Sequence, residues 1–568
     1  MKRFKKITVP GTTPFSDQGY AAISVGETSE WKWWFNPIKL MGVFLALLMG
    51  FSVLFSVSVV LNDPPSDFLW NVVDARKFDF HSQKAVKEDD LPQPVLVPKD
   101  KLLSDLLPTG FDENSCLSRY QSLLYRKETP RKASPYLISK LRNYESLHKK
   151  CGPHTKLYNQ TVQDLKSGRS SNASECKYIV WVSFSGLGNR ILTLASTFLY
   201  ALLTNRVLLV DPGVDIPELF CEPFPEASWL LPKDFPLTNK FKSFNQKSNE
   251  SYGNMLKSKN NLTELPYVYL HLVHDYNDED KLFFCNQDQI FLQKTPFLIM
   301  KTDNYFVPSL FLIPSFEQEL NDLFPDKETV FHFLGRYLFH PTNSVWGLIS
   351  RYYQAYLSNA DVKVGIQIRV FDTGPGPFKH VLDQILACTM NENILPTIDQ
   401  KPFIITSSEK KKKTIAVLMT SLSSGYFEEV RNLYWENPTV SGEWIGVYQP
   451  SHEEYQQTEK QNHNRKAWAE MYLLSFSDKL VTSSWSTFGY VAQGLGGLKP
   501  WILYKPENGT APDPACRRAM SMEPCFHAPP FYDCKMKRGV DTGALVPHVK
   551  HCEDMSWGLK LVQQHAEL

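Results

Sequence analysis

The chain has 568 residues, of which 43% are apolar and 13% aromatic, and its 61 basic and 60 acidic side chains leave a net charge of +1. Balanced charge removes any electrostatic case for nucleic-acid binding. The apolar share is that of a chain with more than one packed core.

Leu40 to Leu61 form a run of about 22 uncharged residues, long enough to cross a bilayer as one helix. A cleavable leader would have a shorter apolar region nearer the start, so the run reads as a transmembrane anchor over 40–61. Lys2, Arg3, Lys5, Lys6, Lys32 and Lys39 precede it and only Arg76 and Lys77 follow closely. The positive-inside rule then makes 1–39 a cytosolic tail and the rest luminal, a single-pass type II arrangement. Two features agree with a luminal side. The sequons at Asn159, Asn172, Asn249, Asn261 and Asn508 all follow the anchor, as do the ten cysteines, an even number that can pair in an oxidising compartment. No Cys-x-x-Cys pair occurs, which argues against a zinc cluster. The Pro-rich tail holding Cys516, Cys525, Cys534 and Cys552 would need staples, and disulfides are expected there.

Residues 62–108 carry Pro64-Pro65 and the stretch Leu91 to Pro98 with little periodicity of either kind, and read as a stem. Beyond it, strand-like and helix-length segments alternate. Lys177 to Phe184 reads as a buried strand, Asn189 to about Thr204 as a helix and Arg206 to Asp211 as a second strand: a βαβ unit of a mostly parallel sheet. Ser185-Gly-Leu-Gly-Asn-Arg190 lies at the first strand-to-helix turn, where glycines let a ligand approach backbone N–H groups. It lacks the third glycine of a dinucleotide fingerprint and the lysine of a Walker loop. After the apolar run Tyr267 to His274, Asp278-Glu-Asp280 could hold a divalent metal, but its charged neighbours favour a solvated turn.

The pattern restarts at Val362 to Val370, whose apolar residues deliver Arg369 and Asp372 to a loop of glycines and prolines. The guanidinium fork there suits a phosphate pair or a carboxylate, Asp372 included. Thr414 to Ser421, Lys479 to Ser483 and Pro500 to Tyr504 read as further strands, with helical segments at Ala467 to Ser477 and Ser486 to Leu495. Lys410 to Lys413 reads as a solvated loop. Ser484, Ser486 and Thr487 stand where a strand becomes a helix, as N-caps or as a grip on a diphosphate, and Gly494 to Gly497 should end that helix. The fold class is therefore α/β, with one Rossmann-like domain over 109–355, a second over 356–540 and a cleft between them as the natural site. The tail 541–568 is expected to include a helix near Asp554 to Gln564.

Phe184 to Ile191, Lys301-Thr-Asp-Asn-Tyr-Phe-Val-Pro308, Gly365 to Phe371 and Ser483 to Trp501 resemble the plant fucosyltransferase family, and within it the xyloglucan-directed α-1,2 members. The resemblance spans about Gly110 to Val562, the tail motifs Met520 to Cys525 and His551 to Asp554 included. It implies a Golgi membrane enzyme of the GT-B fold that moves L-fucose from GDP-fucose to a galactose 2-hydroxyl, inverting, with no metal and no other cofactor. It makes Arg369 the partner of the donor diphosphate. Around the donor it places Gly186, Gly188, Asn189, Arg190, Thr420, Ser421, Ser486, Thr487 and Phe488. Asp303 becomes the base for the incoming hydroxyl, or the group that orients it, with Asp372 behind it. The partners implied are GDP-fucose, a galactosylated cell-wall polysaccharide, the Golgi membrane through one helix, and a second copy of the chain in a homodimer. Arabinogalactan protein and pectic galactose are acceptors within the same family. Two other readings stand beside it: a luminal lectin that has kept the fold without the chemistry, and a transferase using UDP-galactose.

Overall fold

Two parallel sheets organise the chain. In this computed structural model, residues 100–127, 130–169, 175–258, 265–371, 376–399, 412–507, 509–535 and 539–563 are described. The expected anchor, most of the stem, the sequons at Asn172, Asn261 and Asn508, Asp372, Lys410 and Lys411 lie outside them. Among the described residues no helix is long and apolar enough to cross a membrane. Folding begins before the expected end of the stem, since Leu106 and Leu107 are already buried. Asn159 and Asn249 are exposed, as sequons must be to be modified.

The first sheet contains β1 (Tyr178–Trp181), β2 (Val207–Val210), β3 (Tyr267–Leu272) and β4 (Phe297–Thr302), all parallel, in the order β2-β1-β4-β3. The second contains β5 (Val362–Gln367), β6 (Thr414–Thr420), β7 (Trp444–Tyr448), β8 (Lys479–Ser483), β9 (Trp501–Leu503) and β10 (Cys516–Arg518), in the order β10-β9-β8-β5-β6-β7. Only β10 runs antiparallel to its neighbour. Both sheets follow from runs that are apolar on two faces. In β1, Tyr178 and Val180 enter a core on one side and Ile179 and Trp181 a core on the other, the period of two that a strand imposes. In β6, Ile415, Val417 and Met419 face outward to a local core while Ala416 and Leu418 face inward. The inner faces of the two sheets share one apolar cluster, which includes Trp181, Leu199, Trp468, Leu480 and Val491.

The helices that matter here are α1 (Leu187–Thr204), α2 (Val330–Leu338), α3 (Asn343–Tyr352), α4 (Lys379–Asn391), α5 (Gly425–Glu436), α6 (Gln461–Leu474) and α7 (Thr487–Gly496). α1 is apolar almost all round because it is enclosed by β1, β2, α2 and α7. α7 starts on Ser486, whose side chain accepts from Gly489 N, and stops at Gly497 in the left-handed region at φ +69°, as its glycines predict.

The expected terminal helix is not formed. Val549–His551 (β11) and Leu559–Leu561 (β12) make an antiparallel hairpin instead, with Asp554 in its turn. Met555, Leu559 and Val562 mimic helical spacing, but Gly558 is needed against the Cys525–Cys552 disulfide, where a Cβ would lie 2.5 Å from the Cys525 sulfur. All ten cysteines are paired: Cys116–Cys221, Cys151–Cys176, Cys285–Cys534, Cys388–Cys516 and Cys525–Cys552. Only the last lies wholly within the tail.

Candidate active site

The carboxyl ends of β1, β5, β6 and β8 converge on one cavity of about 360 Å3, closed by the segment after β7, by α6 and by the tail. Open α/β sheets bind ligands at this edge, and the volume lies in the ordinary range for small-molecule sites. Gly186, Gly188, Asn189, Arg369, Thr420, Ser421, Ser486, Thr487 and Phe488 all line it. Nine residues that the sequence spread over about 300 positions thus meet in one place.

Arg369 follows β5 directly. Its backbone N–H donates to Ser483 Oγ at 2.9 Å, which ties the end of β5 to the end of β8. Its guanidinium is half-buried and lies 5.4 Å from the Phe371 ring. Among the described residues no carboxylate pairs with it, and burial alone draws its pKa below the usual arginine range. A desolvated cation without a counter-charge, in a cavity, is poised for an anionic ligand. Two buried side-chain oxygens of residues that line the same cavity, Gln367 Oε1 and Thr420 Oγ1, also have no hydrogen-bond partner among the described residues. Buried polar atoms are normally satisfied, so these too point to a ligand or water.

Two helix N-termini meet at the cavity floor. Gly186 starts α1 without a side-chain cap, and Gly188 lies against the start of α7 so closely that a Cβ would fall 2.7 Å from Thr487 Oγ1 and 2.9 Å from its carbonyl carbon. Thr487 Oγ1 donates to Asn189 Oδ1 at 2.8 Å, and Asn189 Nδ2 donates to the Asp303 carbonyl at 3.0 Å. Ser486 caps and Thr487 latches, so both hydroxyls have structural work in addition to facing the cavity. The first-turn N–H groups of α1 and α7 and their positive dipole ends add to the potential of Arg369, the arrangement that holds phosphates.

Two expected site residues stand apart. Arg190 is 4% exposed and forks onto Asp215 at 2.5 and 3.2 Å, with Asn464 Nδ2 on the same carboxylate at 2.6 Å. It is a buried structural pair and does not line the cavity. Asp303 lies one layer back, reached through Asn189. Its Oδ1 accepts from His274 N at 3.0 Å and from Asn304 Nδ2, and its Oδ2 bonds His274 Nδ1 at 2.5 Å. That bond raises the His274 pKa. Three donors leave the carboxylate little room for another. The three carboxyls of Asp278-Glu-Asp280 part ways. Asp278 pairs with Lys281 and Glu279 with Lys257, whereas Asp280 is buried and accepts from Gly253 N and Asn277 N. The solvated turn therefore hides one buried staple. Among the described residues the one set of ligand atoms close enough to share a metal is Cys525, Cys552 and Asp554, and its two sulfurs are already joined to each other.

Other residues of the site were given no role by the sequence. Glu470 of α6 lines the cavity, accepts from the Ser451 hydroxyl and is pushed up to about 8 by burial. His527 forms part of the wall, and Asp554 anchors the start of α7 through Trp485. Each is brought in by tertiary return of the chain, which local sequence does not record. The nearest signal was, for His527, its position two residues after Cys525 and, for Asp554, the tail motif His551 to Asp554.

Comparison with known proteins follows the same outline. The family model described as xyloglucan fucosyltransferase matches residues 76–535. A galactoside 2-alpha-L-fucosyltransferase of Pisum sativum is 67% identical over 527 residues, 92% of each chain. One from Arabidopsis thaliana is 61% identical over 534 residues, 93% of this chain and 94% of the other. Among solved structures, an arginine-to-lysine variant of Arabidopsis thaliana FUT1 in complex with GDP is 65% identical. It matches with a TM-score of 0.77 over 82% of this chain and all of that one.

Proposed function

The chain belongs to the xyloglucan fucosyltransferase family, and on that premise we propose that it transfers L-fucose from GDP-fucose to the 2-hydroxyl of galactose on xyloglucan side chains, with inversion. The observation that carries this reading is Arg369: a half-buried guanidinium with no acidic partner among the described residues, beside the paired N-termini of α1 and α7. A diphosphate leaving group gains negative charge as the sugar bond breaks. Donors fixed at that position stabilise the transition state more than the ground state. Thr420, Ser421 and Phe488 would contact the rest of the donor. Asp303, held by His274 and Asn304, suits a group that orients the acceptor side of the cleft better than one that takes a proton.

We also propose that the chain resides in the Golgi membrane as a type II protein, anchored by 40–61, with sequons and catalytic region luminal. The charge asymmetry around that run supports it. Metal independence is part of the same proposal, since Arg369 and two helix ends supply positive potential where a divalent ion would otherwise be needed. EDTA should leave most activity intact, and a loss reversed by Mn2+ would overturn it.

The test of the donor site is calorimetry with GDP on the secreted region from about residue 94. Arg369→Ala should weaken binding by at least tenfold, roughly 1.4 kcal/mol or more. Unchanged affinity would remove the phosphate assignment. Turnover of GDP-fucose but not UDP-galactose, on a galactosylated xyloglucan oligosaccharide, tests the donor and acceptor together.

A further inference from the structure

The tail folds back over the cavity and brings His527 and Asp554 to Tyr490 of α7. The Cys525–Cys552 disulfide joins its two limbs, and Phe526 pairs with Leu559 across the same junction. Two residues beyond each cysteine stand His527 and Asp554. Asp554 Oδ2 accepts from Trp485 N at 3.0 Å and from the Tyr490 hydroxyl at 2.6 Å. Tyr490 has one proton and gives it to that carboxylate. The contact between its oxygen and His527 Nε2, at 3.1 Å, therefore requires that Nε2 carry the hydrogen.

That assignment fixes the tautomer. With Nε2 protonated, Nδ1 holds the lone pair of a neutral imidazole. His527 walls the cavity, and its Nδ1 has no hydrogen-bond partner among the described residues. Asp303, by contrast, already accepts three hydrogen bonds. We infer that His527 is the proton acceptor for the sugar hydroxyl, with Tyr490 and Asp554 as the residues that position it. This rests on the reading of the chain as a fucosyltransferase.

In the step, the acceptor O–H bond breaks and its proton passes to His527 Nδ1. The oxygen's electron pair forms the new bond to fucose C1, while the bond from C1 to the diphosphate oxygen breaks and its pair leaves on GDP. The imidazolium then returns its proton to water. Tyr490 packs against the ring, and the charges that act on it are those of Asp554, Asp303 and Lys560. Burial and Lys560 lower the His527 pKa and the two carboxylates raise it, with burial the larger effect. The ring is thus neutral at pH 7 and able to accept, and the carboxylates favour the cation once it forms.

The experiment measures turnover against pH on a galactosylated xyloglucan oligosaccharide, with GDP calorimetry as the control for folding. In the parent protein, activity should fall on the acid side as the imidazole protonates. His527→Gln keeps an N–H for Tyr490 but cannot take a proton, so kcat should drop by on the order of 10² and the acid limb should vanish, with GDP affinity changed less than about twofold. Tyr490→Phe removes the acceptor that fixes the tautomer and should lower kcat by about tenfold and shift the acid limb while GDP binding holds. If the parent transfers fucose and His527→Gln keeps kcat within about threefold or retains the limb, the inference is overturned and the transferase reading stands. If His527→Gln no longer binds GDP, Tyr490→Phe decides, and an unchanged profile there overturns the inference. A parent protein that transfers no fucose defeats the underlying reading instead.

Discussion

Two arginines near the cleft show what a single residue reveals and what it hides. Arg190 and Arg369 both follow a strand, and both were expected at the donor. The expectation for Arg369 rested on local information, an apolar strand ending in a cation before Gly and Pro, and the structure leaves that guanidinium open to the cavity. Arg190 stands in the first turn of α1 and is taken up by Asp215 and Asn464, which return from elsewhere in the chain. No spacing near Arg190 announces them. The two should separate in experiment. Arg369→Lys should lose GDP affinity nearly as badly as Arg369→Ala, because an ammonium cannot reproduce the planar fork. Arg190→Lys should cost stability first, up to about 3 kcal/mol for a broken buried pair, visible as a lower Tm before any change in GDP affinity at low temperature. Glu523 carries a second prediction at this scale. It is buried, accepts from the Tyr305 hydroxyl and Phe331 N at 2.7 Å each, and burial pushes it up to about 8. A carboxyl whose pKa is higher folded than unfolded contributes stability that is complete below the unfolded value and is lost as pH rises toward the folded one. Stability should therefore fall between about pH 5 and 8, and Glu523→Gln should flatten part of that slope in thermal melts. Glu470, also pushed up to about 8, would account for what remains.

At the scale of elements, strands were legible in most places where a continuous apolar run ended in turn residues, though β4, Phe297–Thr302, is such a run and carried no expectation. β8 coincides with its expected range, and β1, β5, β6 and β9 lie inside theirs. β7 escaped because it lies at the sheet edge with Trp444 exposed, so its alternation is broken by solvent. The terminal hairpin escaped because a disulfide, not periodicity, fixes its chain direction. The α1 and α7 starts were each legible as a glycine or hydroxyl turn. Their contact was not, since it joins residues about 300 positions apart. Gly188 is the point at which that contact can be tested. Gly188→Ala would set a methyl group against the backbone of Thr487, and overpacking of this kind costs about 1–3 kcal/mol. Relief comes only by moving α1 off α7, which breaks the Asn189–Thr487 latch. The expected outcome is a lower Tm together with weaker GDP binding. A variant with parent-like values of both would mean that the two helix ends do not act as one site.

For the molecule as a whole, the boundary expected near residue 355 divides the sheets but not the packing. One apolar cluster runs from Leu106 to Leu561 through the inner faces of both. Arg126 donates to the Leu495 carbonyl, and the tail returns to the first half through Tyr276 to the Ala528 carbonyl, Lys327 N to Gln563 and the Cys285–Cys534 disulfide. The two halves are thus joined by one covalent link, Cys285–Cys534, as well as by burial, while the other four disulfides each stay on one side of residue 355. A link that acts only through the unfolded state should change stability and leave kinetics alone. Cys525–Cys552 offers a way to tell whether it does more. It spans 27 residues and by loop entropy contributes about 3–4 kcal/mol. It also joins the limbs that carry His527, which bonds the Tyr490 hydroxyl, and Asp554, which accepts from Trp485 N just before α7. The double variant Cys525→Ala/Cys552→Ala, studied below its melting temperature, should lower kcat by about tenfold or more and weaken GDP binding by less, because Arg369 stays tied to β8 through Ser483. Equal loss of both would make the disulfide a general brace. Loss of neither would show that Trp485 and Tyr490 alone suffice to hold Asp554 in register with the cavity.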